Sequence, residues 1–159
     1  MELTWLEVGL RLGAALLFGA VVGFEREHDG HDAGARTHML LALGSAVFGA
    51  ISVGAFAPFL AEGIGRQVTL DPSRIASYVA AGIGFLGGGT IVKTQDRVRG
   101  LTTAASLWAV AAIGLAAGLG FWSAAVIGTA FALLILLIEG PVRRLAEMTG
   151  GRPEGKRKP

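Results

Sequence analysis

The sequence predicts an all-α membrane protein, a polytopic bundle of about five transmembrane helices. Hydrophobic residues make up 52% of the 159 positions and charged residues only 16%, whereas an ordinary soluble protein carries about 25% charged residues. Several apolar runs approach or exceed the roughly 20 residues needed to cross a bilayer. The 25 glycines suit packed membrane helices, because small side chains let backbones approach closely. With no cysteine, the chain has neither disulfides nor thiolate metal ligands.

The first two predicted spans, residues 5–24 and 38–60, flank a short charged stretch. This polar segment, residues 25–38, holds all three histidines, four acids and two arginines. A charged stretch between two long apolar runs indicates a loop where the chain leaves the membrane and turns back. Within the first span, Glu7 and Arg11 lie four residues apart and share one helix face. We expect them to pair, because a lone charge inside a membrane is costly.

The third predicted span, residues 73–92, has a recognisable start. Asp71 and Pro72 precede it, and these residue types are favoured at the N-cap and at the first helical position. Arg74 belongs to the same helix-start motif. The short connection before it, residues 61–72, is polar and is expected to lie on the opposite side of the membrane from the polar segment.

The last two spans come from residues 101–138, which contain no charged side chain. A single helix of these 38 residues would be about 57 Å long, which far exceeds a hydrocarbon core of about 30 Å. The run must therefore be two spans. Glycines at residues 118 and 120 predict a hairpin between a span at residues 101–118 and another at residues 121–138.

The distribution of basic residues predicts the orientation of the chain. A membrane domain, residues 1–140, is followed by a basic tail, residues 141–159, which is expected to be disordered. Five spans put the polar segment, the loop at residues 93–100 and the tail on one side with eleven Lys and Arg residues, against two on the other side. By the positive-inside rule the N-terminus lies outside, and the polar segment and the tail are cytoplasmic. The small net charge of +2 gives no reason to expect nucleic-acid binding.

Two interpretations of the polar segment remain open. Carboxylate oxygens suit magnesium or calcium, and imidazoles suit zinc, copper or nickel. The candidate ligands are Glu25, Glu27, His28 and Asp32. Their spacing matches no specific metal motif, so the alternative is a solvated loop whose charges neutralise one another.

Three charged residues of the polar segment lie at predicted membrane boundaries. Glu25, Arg26 and Arg36 are expected to pair or to cap helix ends there. A guanidinium can grip a carboxylate with two hydrogen bonds. We therefore predict a pair between Glu25 and Arg36 that latches the cytoplasmic mouth of the bundle.

The third span contains a glycine-rich stretch, residues 82–89. Its letters match the dinucleotide-binding fingerprint, but that fingerprint requires a strand, a turn and a helix, and here it lies inside an apolar span. Two interpretations remain: Gly84 and Gly88 pack against a neighbouring helix, or the helix is broken and its carbonyls line a polar cavity. Thr102 and Thr103 either cap the fourth span or face the same cavity.

Five blocks of the sequence resemble the MgtC/SapB family of bacterial inner-membrane proteins, and they cover most of the chain in the family's order. The blocks are GAVVGFERE at residues 19–27, AGARTHML at 33–40, DPSRIA at 71–76, GIGFLG at 82–87 and RGLTTAASLW at 99–108. The resemblance implies about five membrane helices and a link to growth at low magnesium, to virulence and to the regulation of other membrane proteins. About twenty residues follow the last span, so we expect a short, SapB-like member without the C-terminal cytoplasmic domain of larger relatives.

No set of residues resembling a catalytic site emerges, so we expect no enzyme and no bound cofactor. A link to magnesium comes only from the family resemblance. The first functional hypothesis is a regulator in magnesium homeostasis or in acid and low-magnesium stress. The alternative is a carrier or channel for magnesium, protons or a small solute. The expected partners are the bilayer and other membrane proteins, and a homo-oligomer of the chain is a further alternative. Residues assigned to the cytoplasmic mouth are Glu25, Arg26, Glu27, Arg36, Thr37 and His38; those assigned to the glycine-rich helix and its cavity are Gly82, Gly84, Gly87, Gly88, Thr102 and Thr103.

Overall fold

The chain forms a helical bundle with one small β-hairpin, as a computed structural model shows. This structure describes residues 3–54, 71, 73–95 and 97–149, with side chains described as far as residue 138. The helices are α1 (Trp5–His28), α2 (Ala35–Gly54), α3 (Ser73–Thr90), α4 (Leu101–Leu119) and α5 (Trp122–Thr149). Strands β1 (Val92–Lys93) and β2 (Val98–Arg99) pair antiparallel between α3 and α4. The predicted all-α class is confirmed.

Helix α4 is the centre of the bundle, because it packs against α1, α2, α3 and α5. Helices α1 and α2 also pack along each other, whereas α3 lies at the periphery against α4 and α2. The core contains mostly small side chains: Ala15, Val22, Ala42, Ala46, Val110, Ala117 and Ala125. Small core residues bring helix backbones close together, so the bundle depends on backbone proximity more than on large interlocking side chains.

Helices α2 and α4 approach each other closely. A Cβ atom added to Gly114 would overlap the carbonyl oxygen of Ala42, and one added to Gly118 would overlap that of Ala46. A second close approach joins α1 to α2, where a Cβ on Gly23 would lie 2.6 Å from the Cα of Ala35. These glycines fix the spacing of the three central helices, because no larger residue fits without displacing backbone.

Three of the described helices, α1, α2 and α4, are long and apolar enough to cross a membrane by themselves. Within α5, residues Trp122–Ile138 form a shorter apolar stretch. Helix α3 carries several glycines and serines and Arg74, which lower its mean hydropathy. The chain is a membrane protein, and five crossings remain the prediction for the whole of it.

Helix α1 is one turn longer than its predicted span, and α2 begins before its predicted start. Residues 25–28 of the polar segment are therefore helical, and the loop shrinks to residues 29–34. The chain reverses at Gly30, whose φ of 75° needs glycine. The N–H groups of Gly30 and His31 donate to the carbonyls of Glu27 and Arg26 at 3.1 and 3.0 Å, which satisfies the helix end. The predicted end of the second span, residues 55–60, lies outside the described residues.

Two other helix ends lie where the sequence predicts them. The Oδ1 atom of Asp71 accepts from the N–H of Ser73 at 3.0 Å, so Asp71 caps α3. Hydrogen bonds from the hydroxyl and the N–H of Ser73 lower the pKa of Asp71. The turn between α4 and α5 lies at Gly120, with φ of 81°. Helix α5 then continues to Thr149, past the predicted end of the fifth span, and residues 150–159 lie outside the described part.

In the glycine-rich stretch, residues 82–89, the structure shows neither the predicted packing at Gly84 and Gly88 nor a broken helix. Helix α3 is continuous from Ser73 to Thr90, so no break exposes its carbonyls there. Gly84 and Gly88 are exposed, and a Cβ on either would meet nothing within 4 Å, so the packing prediction for this pair is wrong. The helix instead directs Ile83 and Gly87 toward the bundle, and a Cβ on Gly87 would lie 3.6 Å from the Cβ of Ala104. Positions 84 and 88 are rotated by one residue from this buried face.

Candidate functional site

A cleft of about 1390 Å³ opens at the end of the bundle that carries the hairpin. We call it the polar cleft. Its polar lining residues are His31, Asp32, Arg36, Thr37, Thr90, Thr94, Arg99 and Thr103, and its large apolar ones are Leu40, Leu41, Leu86, Val92 and Leu107. The cleft therefore joins the α1–α2 loop, the first turns of α2 and α4, the end of α3 and the hairpin.

The hairpin forms one wall of the polar cleft and places Arg99 there. The N–H of Thr94 donates to the carbonyl of Arg97 at 2.9 Å and closes the turn. Gly100 then leads into α4 with φ of 85°, and any Cβ there would overlap the carbonyl oxygen of Thr90. Only glycine brings the chain this close to the end of α3, so Gly100 sets the position of Arg99 on the wall.

A buried hydrogen-bond chain lies directly beneath the polar cleft. His38 is fully buried, and its Nδ1 atom lies 2.9 Å from the carbonyl oxygen of Gly34. Because a carbonyl only accepts, Nδ1 carries a proton. The Nε2 atom lies 3.1 Å from the hydroxyl oxygen of Ser106, which is 2.9 Å from the carbonyl oxygen of Thr103. The chain ties the α1–α2 loop to the first turns of α4.

The three charged residues at the end of α1 have structural partners. Arg26 is fully buried, and its guanidinium lies 3.8 Å from the carboxylate of Glu25. The carboxylate of Glu27 accepts from the N–H of Ala35 at 2.9 Å, so it caps the first turn of α2. None of the three is among the described residues that line the polar cleft.

The predicted latch between Glu25 and Arg36 is wrong. Arg36 is exposed and lines the polar cleft, and in the described part of the chain its guanidinium makes no ion pair with Glu25. The extra turn of α1 explains the difference, because it places Arg26 on the buried face of the same helix as Glu25. Of the six residues assigned to the mouth, Arg36 and Thr37 line the cleft and His38 lies just below it.

The four candidate metal ligands do not converge. Within the described residues, no three His, Asp or Glu side chains lie close enough to hold one ion. Glu27 is occupied as a helix cap, His28 is exposed at the end of α1, and Asp32 lies on the wall of the polar cleft. The geometry therefore assigns these residues to separate places.

The residues assigned to the glycine-rich cavity are dispersed as well. Thr103 lines the polar cleft, but Thr102 is exposed and is not part of the described lining. Gly82 lines a separate groove between α2 and α3. Gly89, which sequence reasoning did not single out, is the glycine of α3 that reaches the cleft.

Sequence reasoning also misassigned the charged pair in α1. Glu7 forms a capping box with Thr4, accepting from its N–H at 2.8 Å and from its hydroxyl at 2.9 Å. Arg11 instead donates to the carbonyl oxygen of Gly118 at 2.9 Å, at the negative end of the α4 dipole. The spacing of Thr4 and Glu7 is a known N-terminal signature, so the sequence contained the signal for the cap.

An apolar groove of about 560 Å³ lies between α2 and α3. We call it the α2–α3 groove. Its lining residues include Gly44, Phe48, Ile51, Ile75, Tyr78 and Gly82. Leu40, Leu41 and Leu86 line both this groove and the polar cleft. The two spaces therefore meet along a boundary of leucines.

Comparison with known proteins places the chain in a family. The model of the MgtC family matches residues 12–145. Protein SrpB of Synechococcus elongatus is 43% identical over 141 residues, covering 83% of this chain and 74% of that protein. The putative magnesium transporter YhiD of Escherichia coli K12 is 42% identical over 127 residues, covering 80% of this chain and 58% of YhiD.

A third relative, protein MgtC of Brucella abortus, is 38% identical over 141 residues, covering 89% of this chain and 55% of the relative. The chain thus spans little more than half the length of YhiD and of this MgtC. No solved structure matches the chain. The family match includes all five sequence blocks on which the resemblance rests. This chain belongs to the MgtC family of membrane proteins.

Proposed function

We propose that the protein is a non-enzymatic membrane regulator in magnesium homeostasis or in adaptation to acid and low-magnesium stress. It acts by contacting other membrane proteins rather than by moving an ion. The magnesium link is supported by the names of relatives, among them a putative magnesium transporter. The choice of a regulator rests on how the polar side chains of the bundle are used.

Two hydroxyl groups of the bundle are bonded to the backbone of their own helices. Thr129 and Thr90 donate to the carbonyls of Ala125 and Gly87 at 2.7 and 2.8 Å. A path for ions needs polar groups that face a cavity and replace water. Here the polar cleft instead meets the apolar α2–α3 groove at a floor of leucines, which supports a regulator.

The outer face of α3 is the surface we assign to a membrane partner. Gly84 and Gly88 lie on it with open space where a Cβ would be, and Phe85 between them is 85% exposed. Small residues four apart let a second helix approach closely, and an exposed aromatic ring adds contact area. A partner helix that packs on this face would contact the protein at its surface and would leave the core of the bundle unchanged.

Leucine at Gly84 or Gly88 is expected to abolish function while the fold remains intact. Neither substitution meets an atom of the chain, but each would block a partner helix. The measurement is growth at low magnesium of a bacterial strain that lacks its own copy and carries the variant, together with the melting temperature in detergent. Leucine at Gly13, which is equally open, serves as the matched control. If both α3 variants restored growth at low magnesium to the level of the native protein, the outer face of α3 would not be a partner-binding surface.

The second candidate is a carrier of magnesium or protons, which the size of the polar cleft favours. The same purified protein in liposomes distinguishes it from a regulator. A regulator gives no magnesium or proton flux above that of protein-free vesicles. Saturable flux that requires the protein would replace the regulator with the carrier.

The location we propose is the bacterial inner membrane, with the N-terminus outside and the C-terminus in the cytoplasm. Eleven basic residues against two support this orientation. A reporter that is active only outside the cytoplasm should be silent when fused after Pro159 and active when inserted near Gly65. The opposite pattern of activity would reverse the orientation.

A further inference from the structure

The polar cleft and the α2–α3 groove form one amphiphilic cavity. Leu40, Leu41 and Leu86 line both, so a ligand can extend from the polar cleft along these leucines into the apolar groove. The groove alone has about 560 Å³, which lies within the range of about 300–1,000 Å³ for ligand pockets. A single ligand with a polar head and an apolar tail matches this shape.

The mouth of this cavity favours an anion. Arg36 from α2 and Arg99 from β2 both line it and are exposed, so their guanidinium groups are available to a ligand. The Nδ1 atom of His31 is buried and makes no hydrogen bond within the described residues. Asp32 is the only carboxylate among the described lining residues. Guanidinium groups match the planar geometry of phosphate oxygens, which makes a phosphate head the best fit.

The apolar part of the cavity favours a hydrocarbon chain. Phe48, Ile51 and Ile75 line the groove together with Tyr78, and Phe48 and Ile51 are 51% and 42% exposed. One wall of the groove is α2, which is long and apolar enough to cross a membrane, so a hydrocarbon chain suits the groove better than water does. A soluble phosphate compound would leave this groove unused, whereas an acyl chain would fill it.

We propose that this cavity binds one anionic phospholipid. The phosphate of its headgroup contacts Arg36 and Arg99, and one acyl chain lies in the α2–α3 groove. This site is independent of the regulator proposal, because the partner face of α3 carries Gly84 and Gly88, neither of which lines the groove.

Native mass spectrometry of the full-length protein in detergent tests the site with phosphatidylglycerol and phosphatidylcholine. Phosphatidylglycerol should bind at least about tenfold more tightly, the size expected from a charge-assisted contact. Replacing both Arg36 and Arg99 by glutamine should weaken its binding by a similar factor. The matched control is Lys93→Gln with Arg97→Gln, which removes two positive charges from the hairpin next to Arg99 but changes no described lining residue.

A second pair of variants tests the tail of the ligand. Gly44 and Gly82 line the groove, and a Cβ on either meets nothing within 4 Å, so Gly44→Leu and Gly82→Leu should fold normally and exclude the acyl chain. Gly13→Leu is the control for an open glycine outside the groove. A melting temperature equal to that of the native protein verifies folding.

Four results would overturn the proposal. These are equal binding of the two lipids, equal loss in both charge variants, unchanged binding in the two groove variants, and displacement of the lipid by inorganic phosphate at matched concentration. Retention of phosphatidylglycerol that depends on both the arginine pair and the open groove supports it.

Discussion

Alanine at Gly118 is expected to cause one of the largest losses of stability that a single methyl group can produce in this protein. The added Cβ would occupy the place of the carbonyl oxygen of Ala46 on α2. Backbone atoms cannot rotate away as a side chain can, so α2 and α4 must separate. We expect a cost of about 3 kcal/mol or more, at the upper end of overpacking effects. Gly114→Ala should behave similarly because it meets Ala42 in the same way.

The control for these variants is the same chemical change at an open site. A Cβ on Gly13 meets nothing within 4 Å, and alanine is favoured over glycine in a helix by up to about 1 kcal/mol. Gly13→Ala should therefore leave the melting temperature in detergent unchanged or raise it. Equal stability of Gly118→Ala and Gly13→Ala would disprove the close approach of α2 and α4.

Arg26→Ala is the second variant with a large expected effect. Arg26 is fully buried beside Glu25, and removal of one member of a buried charged pair costs about 3–5 kcal/mol because the other remains desolvated. Arg36→Ala should lower the free energy of unfolding by less than about 0.5 kcal/mol, as expected of an exposed residue. Arg36 lines the polar cleft and is not part of the buried core. Thermal unfolding in detergent measures both.

A combined substitution separates charge from packing at the same place. Arg26→Met with Glu25→Gln removes both charges and keeps much of the side-chain volume. It should be more stable than Arg26→Ala alone, because no uncompensated carboxylate remains. If Arg36→Ala lost more stability than Arg26→Ala, the result would favour a pair between Glu25 and Arg36. It would contradict a stabilising role for the buried pair of Glu25 and Arg26.

The predictable features are those encoded by neighbouring residues. Asp71 marks a helix start through its own side chain, and the glycine at position 120 marks a turn through its backbone freedom. The apolar run after Leu101 is long enough to require two helices. Each of these features is determined by residues close together in the sequence, so contacts between helices do not change it.

The features missed depend on how a helix is rotated about its axis. Gly87 faces the bundle and Gly88 does not, although the two are adjacent and the local sequence treats them alike. The choice of Arg26 over Arg36 as the partner of Glu25 has the same origin, because it depends on which face of α1 meets its neighbours. The hairpin that carries Arg99 was missed because each of its strands has only two residues.

The central position of α4 has a consequence for synthesis of the chain. Helices α1 and α2 can pair as soon as both have entered the membrane, since they pack along each other. Helix α3 has its principal neighbour in α4, which is made later. A nascent chain that stops before Leu101 therefore carries α3 with only its smaller contact, to α2, and without its principal packing surface. Such a fragment presents Ile83 and Gly87 to lipid or to quality-control proteases, so the ribosome must pass α4 before assembly can finish.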